Sequence, residues 1–569
     1  MQYLWEINKC HYMRFALFLQ YFCNNFVIFA HFPLPVRSRN PSCIFAILFR
    51  IWYHRSMRKQ AKHKTKRGFF LFFLIAGLLL LGELTYYGLV VLPAERRDAV
   101  TSSEREHAAP SETAQPVSQP AETVDAPADS ASLPFGGTPI VTETEEPQEE
   151  EPLPEPEPVF EPYDLHLLMV GDNLLHMTIV KQAKTEEGGY NFDFEFEFLK
   201  PFLEQADIKI INQETPLAGN ELGFSGFPAF NSPVEAADAI QNAGFNVMLA
   251  ATNHCADQGL SGLISFAGYV EEHCPDVMLC GIRGSEPSEC NPDPEQVNEE
   301  MLKAAGLSQW IPEASEDGVP AEWSPALQSS LSRINLMQVG DFTFAILNYT
   351  YGTNQEFFAK ELDGHVDFLS VYNEKNRLIN MEQLNPVVPE DIRLARQLAD
   401  IVIVCPHWGN EFQTKPSAVQ QSFAQQMADA GADLIIGAHP HIVQPVEVVT
   451  AADGREVLCY YSLGNYVSTQ KECRAMYEAM AWVTFSVTEE GIRVDNEKSG
   501  ALPFVLQYAV GPLRMTAHYA LEDYTQELAA AHGIKSWGEG PMNLEKLQTW
   551  KEETLGGYAL TREDILGDR

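Results

Sequence analysis

From Asp164 onward the chain alternates short apolar runs with amphipathic stretches. The apolar runs are Leu165–Val170, Ile208–Ile211, Val247–Ala250, Phe342–Asn348, Ile401–Cys405, Leu434–Gly437 and Val457–Tyr461. Runs of that length, bounded by turn residues, predict strands. Helical spacing predicts helices over Pro233–Ala243, closing at Gly244, over Glu390–Leu398 after Pro389, and over Ser417–Ala430, closing at Gly431. Glycine just past the last turn suits a left-handed helix cap. Strand–helix alternation at this spacing predicts an α/β fold built on layered sheet. Residues 284–335, rich in Pro, Glu and Ser, break the rhythm as an insertion. After Met480 the pattern becomes β-rich (Trp482–Val487, Phe504–Val510), and a helical tail is predicted from about Tyr519.

The N-terminal part has another texture. Residues 1–56 hold 14 aromatic residues and one acid, Glu6, without helical or alternating order. Met57, Arg58, Lys59, Lys62, Lys64, Lys66 and Arg67 then read as a natural start, so residues 1–56 are expected to be an extension from a misplaced gene start. From Gly68 to Leu92 the residues are almost all apolar, with Glu83 the single charge. At about 1.5 Å per residue such a helix crosses a hydrocarbon core of ~30 Å. Basic residues before it and acidic residues after it put the N-terminus in the cytoplasm and the rest outside. Residues 57–93 are thus expected to form a cytoplasmic end and an uncleaved anchor. Residues 94–163 follow as an acidic linker; within 101–163 there are 15 acids, one base (Arg105) and 12 prolines, too little apolar surface to offset ordering.

Charge changes the picture in one way. Of 569 residues, 78 are Asp or Glu and 39 are Lys or Arg, a net charge of −39. That argues against nucleic acid as a partner, since such binding neutralises phosphates with basic surface. Much of the excess lies in the linker and says little about the folded domain. Beyond Met57 there are seven cysteines, no C-x-x-C, and room for one disulfide among Cys274, Cys280 and Cys290, whereas Cys405 and Cys459 lie in strand-like runs as buried thiols.

The candidate chemistry sits directly after the strands. Val170 runs into Gly171-Asp172-Asn173, Ile211 into Asn212-Gln213-Glu214-Thr215, and Ala250 leads to Thr252-Asn253-His254, with Asp257 close behind. Cys405 is followed by His407-Trp408-Gly409-Asn410-Glu411 and Gly437 by His439-Pro440-His441. Ligands of open α/β sheets bind beyond the carboxyl ends of strands, so these side chains are expected to converge. Imidazole, carboxylate and amide donors suit Mn, Fe or Zn, one or two ions. Glu214 is the expected bridge, Asp172 the ligand of one ion, and Asn253, His407 and His439 those of the other, with His441 able to serve either. His254, oriented by Asp257, is placed as a proton donor or charge stabiliser. Trp408, Tyr349 and Tyr351 are expected to line the crevice, with plain packing as their default role.

At these residues the chain resembles the CapA family of poly-γ-glutamate capsule synthesis proteins, related to calcineurin-like metallophosphoesterases. The likeness is carried by Val170–Asn173, Asn212–Pro216, Thr252–Gly259, Asn348–Gly352, Pro406–Glu411, Gly437–Gln444 and Ser462–Asn465. It implies a layered α/β-β-α metallophosphoesterase fold over residues 164–569, an anchored extracellular domain, and a part in polyglutamate export or attachment beside a polyglutamate synthase complex. Two positions depart from the broader phosphoesterase pattern: Leu174 stands where Asp-x-His would put a histidine, with His176 two further on, and Glu214 stands where Asp is usual. Three functions stay open: a metal-dependent hydrolase or transferase, a non-catalytic polymer-binding scaffold whose metal ligates glutamate carboxylates, and a surface phosphodiesterase unrelated to capsule.

Overall fold

A computed structural model describes residues 160–284, 287–312, 323–354, 361–373, 378–534 and 540–567. The predicted extension, anchor and nearly all of the acidic linker lie outside them. Among the described residues no helix is long and apolar enough to cross a membrane.

The strands in chain order are β1 (Tyr163–Asn173), β2 (Ile208–Gln213), β3 (Val247–Leu249), β4 (Met278–Cys280), β5 (Asn335–Val339), β6 (Phe342–Thr350), β7 (Ser370–Asn373) and β8 (Leu378–Leu384). They continue as β9 (Ile401–His407), β10 (Leu434–Ile436), β11 (Val446–Thr450), β12 (Glu456–Tyr460), β13 (Asn465–Val467), β14 (Tyr477–Thr488), β15 (Gly491–Val494), β16 (Gly500–Ala509) and β17 (Arg514–Ala520). The helices that matter to packing are α1 (Glu235–Ala243), α2 (Gly259–His273), α3 (Val387–Leu398) and α4 (Ala418–Ala430).

One sheet runs β17-β16-β14-β1-β2-β3-β4, with β13 added to β1 and β15 to β14. Its β1–β4 half is parallel and its β14–β17 half antiparallel. A second sheet runs β11-β12-β10-β9-β6-β5, parallel through β12, β10, β9 and β6, and β7 pairs with β8 as a separate two-stranded sheet. Buried parallel strands need apolar residues on both faces, which is why their sequences are continuous apolar runs. In β6 and β9 the pleat separates them: Phe344, Ile346, Ile401 and Ile403 enter a core shared with the first sheet and α1 and α2, whereas Ala345, Leu347, Val402 and Val404 enter a second core with α3 and α4. The result is a layered α/β domain, sheet on sheet with helices outside. Each fully buried Leu, Ile or Phe contributes about 1.5–3 kcal/mol.

Several expectations need correction. Tyr519 belongs to strand β17, where it pairs with Val505; the helices begin at Gln526. Its run alternates exposed and buried residues, the period of a half-covered strand rather than a helix. Helix α3 starts at Val387, before Pro389, because a first-turn proline removes only an N–H with no helical partner. Cys274, Cys280 and Cys290 are free thiols with no disulfide among them, whereas Cys405 and Cys459 are buried thiols as expected. The insertion stays part of the domain, as expected: among its described residues Leu302, Trp310 and Leu327 are buried in the second core.

Candidate metal centre

The carboxyl ends of the two parallel arrays meet at one place, tied by Asn348. From the end of β6 its Oδ1 accepts the Ala250 and Ala251 N–H groups at 3.1 and 2.8 Å, and its Nδ2 donates to the Cys405 carbonyl at 2.8 Å. Gly281 makes room, since a Cβ there would lie 2.2 Å from Asn348 Oδ1. Gly171 does the same at β1: its Cβ would fall 2.0 Å from the Gly464 carbonyl, the acceptor of the Asp172 N–H at 3.0 Å.

Asp172 organises this junction. Its Oδ1 accepts from Asn212 Nδ2 at 2.7 Å, its Oδ2 lies 3.0 Å from His441 Nδ1, and both oxygens lie 3.3 Å from the His439 N–H. That last contact holds a strained turn, because His439 (φ 97°) and His441 (φ 61°) both occupy the left-handed region unfavourable to side-chain-bearing residues. Pro440 between them limits the alternatives. His407 is fully buried, with Nε2 2.9 Å from Asn253 Oδ1 and 3.9 Å from Glu214 Oε1. Glu214 is fully buried too, 3.6 Å from His441 Nδ1, and neither of its oxygens has a hydrogen-bond partner; His439 Nδ1 also lacks one. Buried polar atoms without partners are rare and call for an explanation.

A metal ion supplies one. Glu214, His407 and His439 form one donor set, and Asp172, Glu214 and His441 another, with the donor atoms of each set within 4.8 Å of one another. Glu214 belongs to both. The residue types fit a divalent cation, and the orphaned atoms are the ones such an ion would take. The electrostatics agree. Burial pushes Glu214 well above the usual carboxylate range, His441 opposes this, and Asp172, Glu411 and Asp257 add to it. Burial and neighbouring histidines hold His407 and His439 well below the imidazole range, so both are neutral donors. Burial also disfavours a charged His441, but Glu214 and Asp172 outweigh it and its pKa is pushed up to about 10. The Glu214–His441 pair thus holds a proton that a bound cation would release.

The structure brings Asp172, Glu214, Asn253, His407, His439 and His441 together and places His254 and Asp257 beside them. His254 Nδ1 lies 2.7 Å from Asp257 Oδ2, which also accepts the Phe230 N–H at 2.7 Å. Burial raises Asp257 above the ordinary carboxylate range, opposed by His254 and that N–H. His176 stays apart, its Nδ1 3.1 Å from the Leu174 carbonyl and its ring edge-on to Phe230. Of the three aromatics only Tyr351 faces the centre, 4.8 Å from the His439 ring. Trp408 and Tyr349 are core residues: Trp408 Nε1 donates to the Tyr461 carbonyl at 2.9 Å, and the Tyr349 hydroxyl to Asp391 Oδ2 at 2.9 Å. Two participants escape the sequence reading. Asn212 stands in one of the motifs without a role assigned to it. Asn354, whose Nδ2 reaches His254, follows a strand by several residues and carries no signal.

Residues 166–330 and 302–470, together more than half of the chain, match the family described as bacterial capsule synthesis protein PGA_cap. The chain belongs to that family. It is 25% identical over 317 residues to the PGA biosynthesis protein CapA of Bacillus subtilis (strain 168), covering 55% of this chain and 65% of the relative. It is 25% identical over 339 residues to the capsule biosynthesis protein CapA of Bacillus anthracis, covering 58% and 66%. The chain therefore spans just under two thirds of the length of these curated relatives. A solved structure of a hypothetical protein from Thermus thermophilus is 13% identical, with 60% of this chain and 98% of that one covered at a TM-score of 0.29. The PGA_cap match covers β1 through β13 and thus all eight predicted site residues.

Proposed function

We propose that this PGA_cap protein is a membrane-anchored, cell-surface component of poly-γ-glutamate capsule synthesis or export, with a two-metal centre of metallophosphoesterase type. The names of the two relatives, both capsule or PGA biosynthesis proteins, support the capsule setting. The observation that carries the metal centre is Glu214, a buried carboxylate without hydrogen-bond partners that belongs to both donor sets. The sheet-on-sheet layering suits the α/β-β-α arrangement of such enzymes. Gly68–Leu92 would anchor the chain with its N-terminus in the cytoplasm, and the acidic linker would hold the domain away from the membrane. Polyglutamate, or another surface polymer, is the proposed partner, beside a polyglutamate synthase complex.

Asp172, Glu214 and His441 would hold one ion, and Glu214, His407, His439 and Asn253 the other, with Mn, Fe or Zn suited to these donors. Bound there, the ions supply Lewis acidity and a water of lowered pKa. The protein's own part is positional. Asp172 holds the His439–His441 turn, buried neighbours keep His407 and His439 neutral, and Asp257 orients His254 to hold or deliver a proton at Nε2. A non-catalytic polymer-binding scaffold is the second reading, favoured by His176, which turns to the backbone and leaves the Asp172 set with a single imidazole.

The test uses full-length protein in detergent, with metal content and turnover of bis(p-nitrophenyl) phosphate and γ-linked glutamate oligomers as readouts. Bound metal with turnover, both lost in His439→Ala, is the expected result. Metal and oligomer binding without turnover would establish the scaffold instead, and absence of metal would overturn both.

A further inference from the structure

We propose that Asn354 is a positioning residue for His254, its side-chain amide steadying the imidazole while its backbone N–H fixes the neighbouring Asn253. This deepens the enzymatic reading above and rests on it for its consequence in turnover.

A single hydrogen bond does not fix an imidazole. Asp257 Oδ2 accepts the His254 Nδ1–H at 2.7 Å, leaving the ring free to swing about that contact. Phe230 closes one side, edge-on with ring centroids 4.8 Å apart. Asn354 adds a packing contact rather than a second hydrogen bond to Nδ1, which has no lone pair left: its Nδ2 lies 3.1 Å from Nδ1 and 3.4 Å from Nε2. Two nearly equal distances put the amide between the ring nitrogens rather than in line with either lone pair. With Nδ1–H committed to Asp257, Nε2 keeps its lone pair for a reacting group. The Asn354 N–H also donates to the Asn253 carbonyl at 2.8 Å, so one residue registers both the proton carrier and the adjacent proposed metal ligand.

The segment that delivers Asn354 is held along its length. The Thr350 N–H donates to the Asp367 carbonyl at 2.9 Å, the Thr350 hydroxyl to the Gly352 carbonyl at 2.8 Å, and the Tyr351 N–H to the His407 carbonyl at 2.9 Å. Asn354 itself is exposed, at the mouth of a site whose other members are buried. An exposed loop asparagine contributes little to the core, so changing it should act on His254 rather than on folding.

The full-length protein, Asn354→Ala and the milder Asn354→Ser are compared by diethyl pyrocarbonate labelling, with carbethoxylation of the His254 peptide measured by mass spectrometry beside metal content and turnover. The expected result in Asn354→Ala is about tenfold faster labelling of His254, unchanged metal content, and kcat lower by about tenfold to a hundredfold at constant KM. Asn354→Ser should lie between it and the unaltered protein. Equal His254 labelling in all three proteins would overturn the proposal, as would loss of metal in the variants. If the unaltered protein turns over no phosphodiester, the enzymatic reading fails, and the labelling rates still decide the role of Asn354.

Discussion

Asp391 and Glu214 are both carboxylates withdrawn from solvent, and the protein surrounds them in opposite ways. Asp391, on α3, accepts hydrogen bonds from Ser330 Oγ at 2.5 Å, Arg333 Nε and Nη2 at 2.6 and 2.8 Å, and the Tyr349 hydroxyl at 2.9 Å. Every neighbour donates, and the cluster ties the insertion, β6 and α3 together. Glu214 accepts from no neighbour and faces imidazoles at 3.6 and 3.9 Å. A satisfied buried cluster is a structural joint; an unsatisfied one surrounded by further donors is set up for something that comes and goes. Lack of partners alone does not make a site. Glu195 and Glu478 are also buried without hydrogen-bond partners, held well above the carboxylate range by burial, and Glu478 even faces one imidazole, His518 Nε2 at 3.7 Å, yet among the described residues neither belongs to a donor set. Convergence of three histidines and a second carboxylate is what separates Glu214.

The largest expected effect breaks the structural joint. Asp391→Ala leaves the Arg333 guanidinium buried and unpaired and should cost about 3–5 kcal/mol in urea unfolding, while folded molecules still take up metal. Glu214→Gln should behave in the reverse sense. Metal-free stability should stay close to that of the unaltered protein, but the stabilisation by metal, about 2.7 kcal/mol at a hundredfold excess over Kd, should vanish from thermal melts in added Mn²⁺. A loss for Glu214→Gln without metal as large as that for Asp391→Ala would erase the contrast.

A smaller effect comes from the rim. Burial lowers the His176 pKa to about 4, opposed by the Leu174 carbonyl and reinforced by His441 and His254. The unfolded ring takes its proton near the ordinary 6.5, so between these values the unfolded chain binds more protons and stability rises with pH. The contribution is complete above about 6.5 and lost as pH falls toward 4, about 2 kcal/mol of it between pH 7 and pH 5. His176→Gln should flatten that part of the urea-midpoint profile of metal-free protein. An unchanged slope would mean that the ring is not held neutral.

Much of this is legible along the chain, for reasons visible in particular residues. The parallel strands stand out because burial on both faces demands unbroken runs such as Leu167–Val170 and Ile401–Cys405. The donors stand out because each closely follows such a run. The C-terminal part is harder to read. Tyr519 sits near the end of a seven-residue strand, close before the helix that begins at Gln526, and short strands such as β4 and β13 exist through their neighbours rather than their own pattern.

The residue sequence alone determined which segments become buried strands and which polar side chains stand at their ends, because both follow from local period and chain order. Tertiary structure alone decided which of those side chains meet. Asn348 brings two sheets to one junction, Asp172 holds His439 and His441 in a backbone conformation that their own preferences oppose, and Asn354 reaches His254 across 100 positions. Such contacts depend on the stacking of layers, and a local pattern carries no record of that stacking.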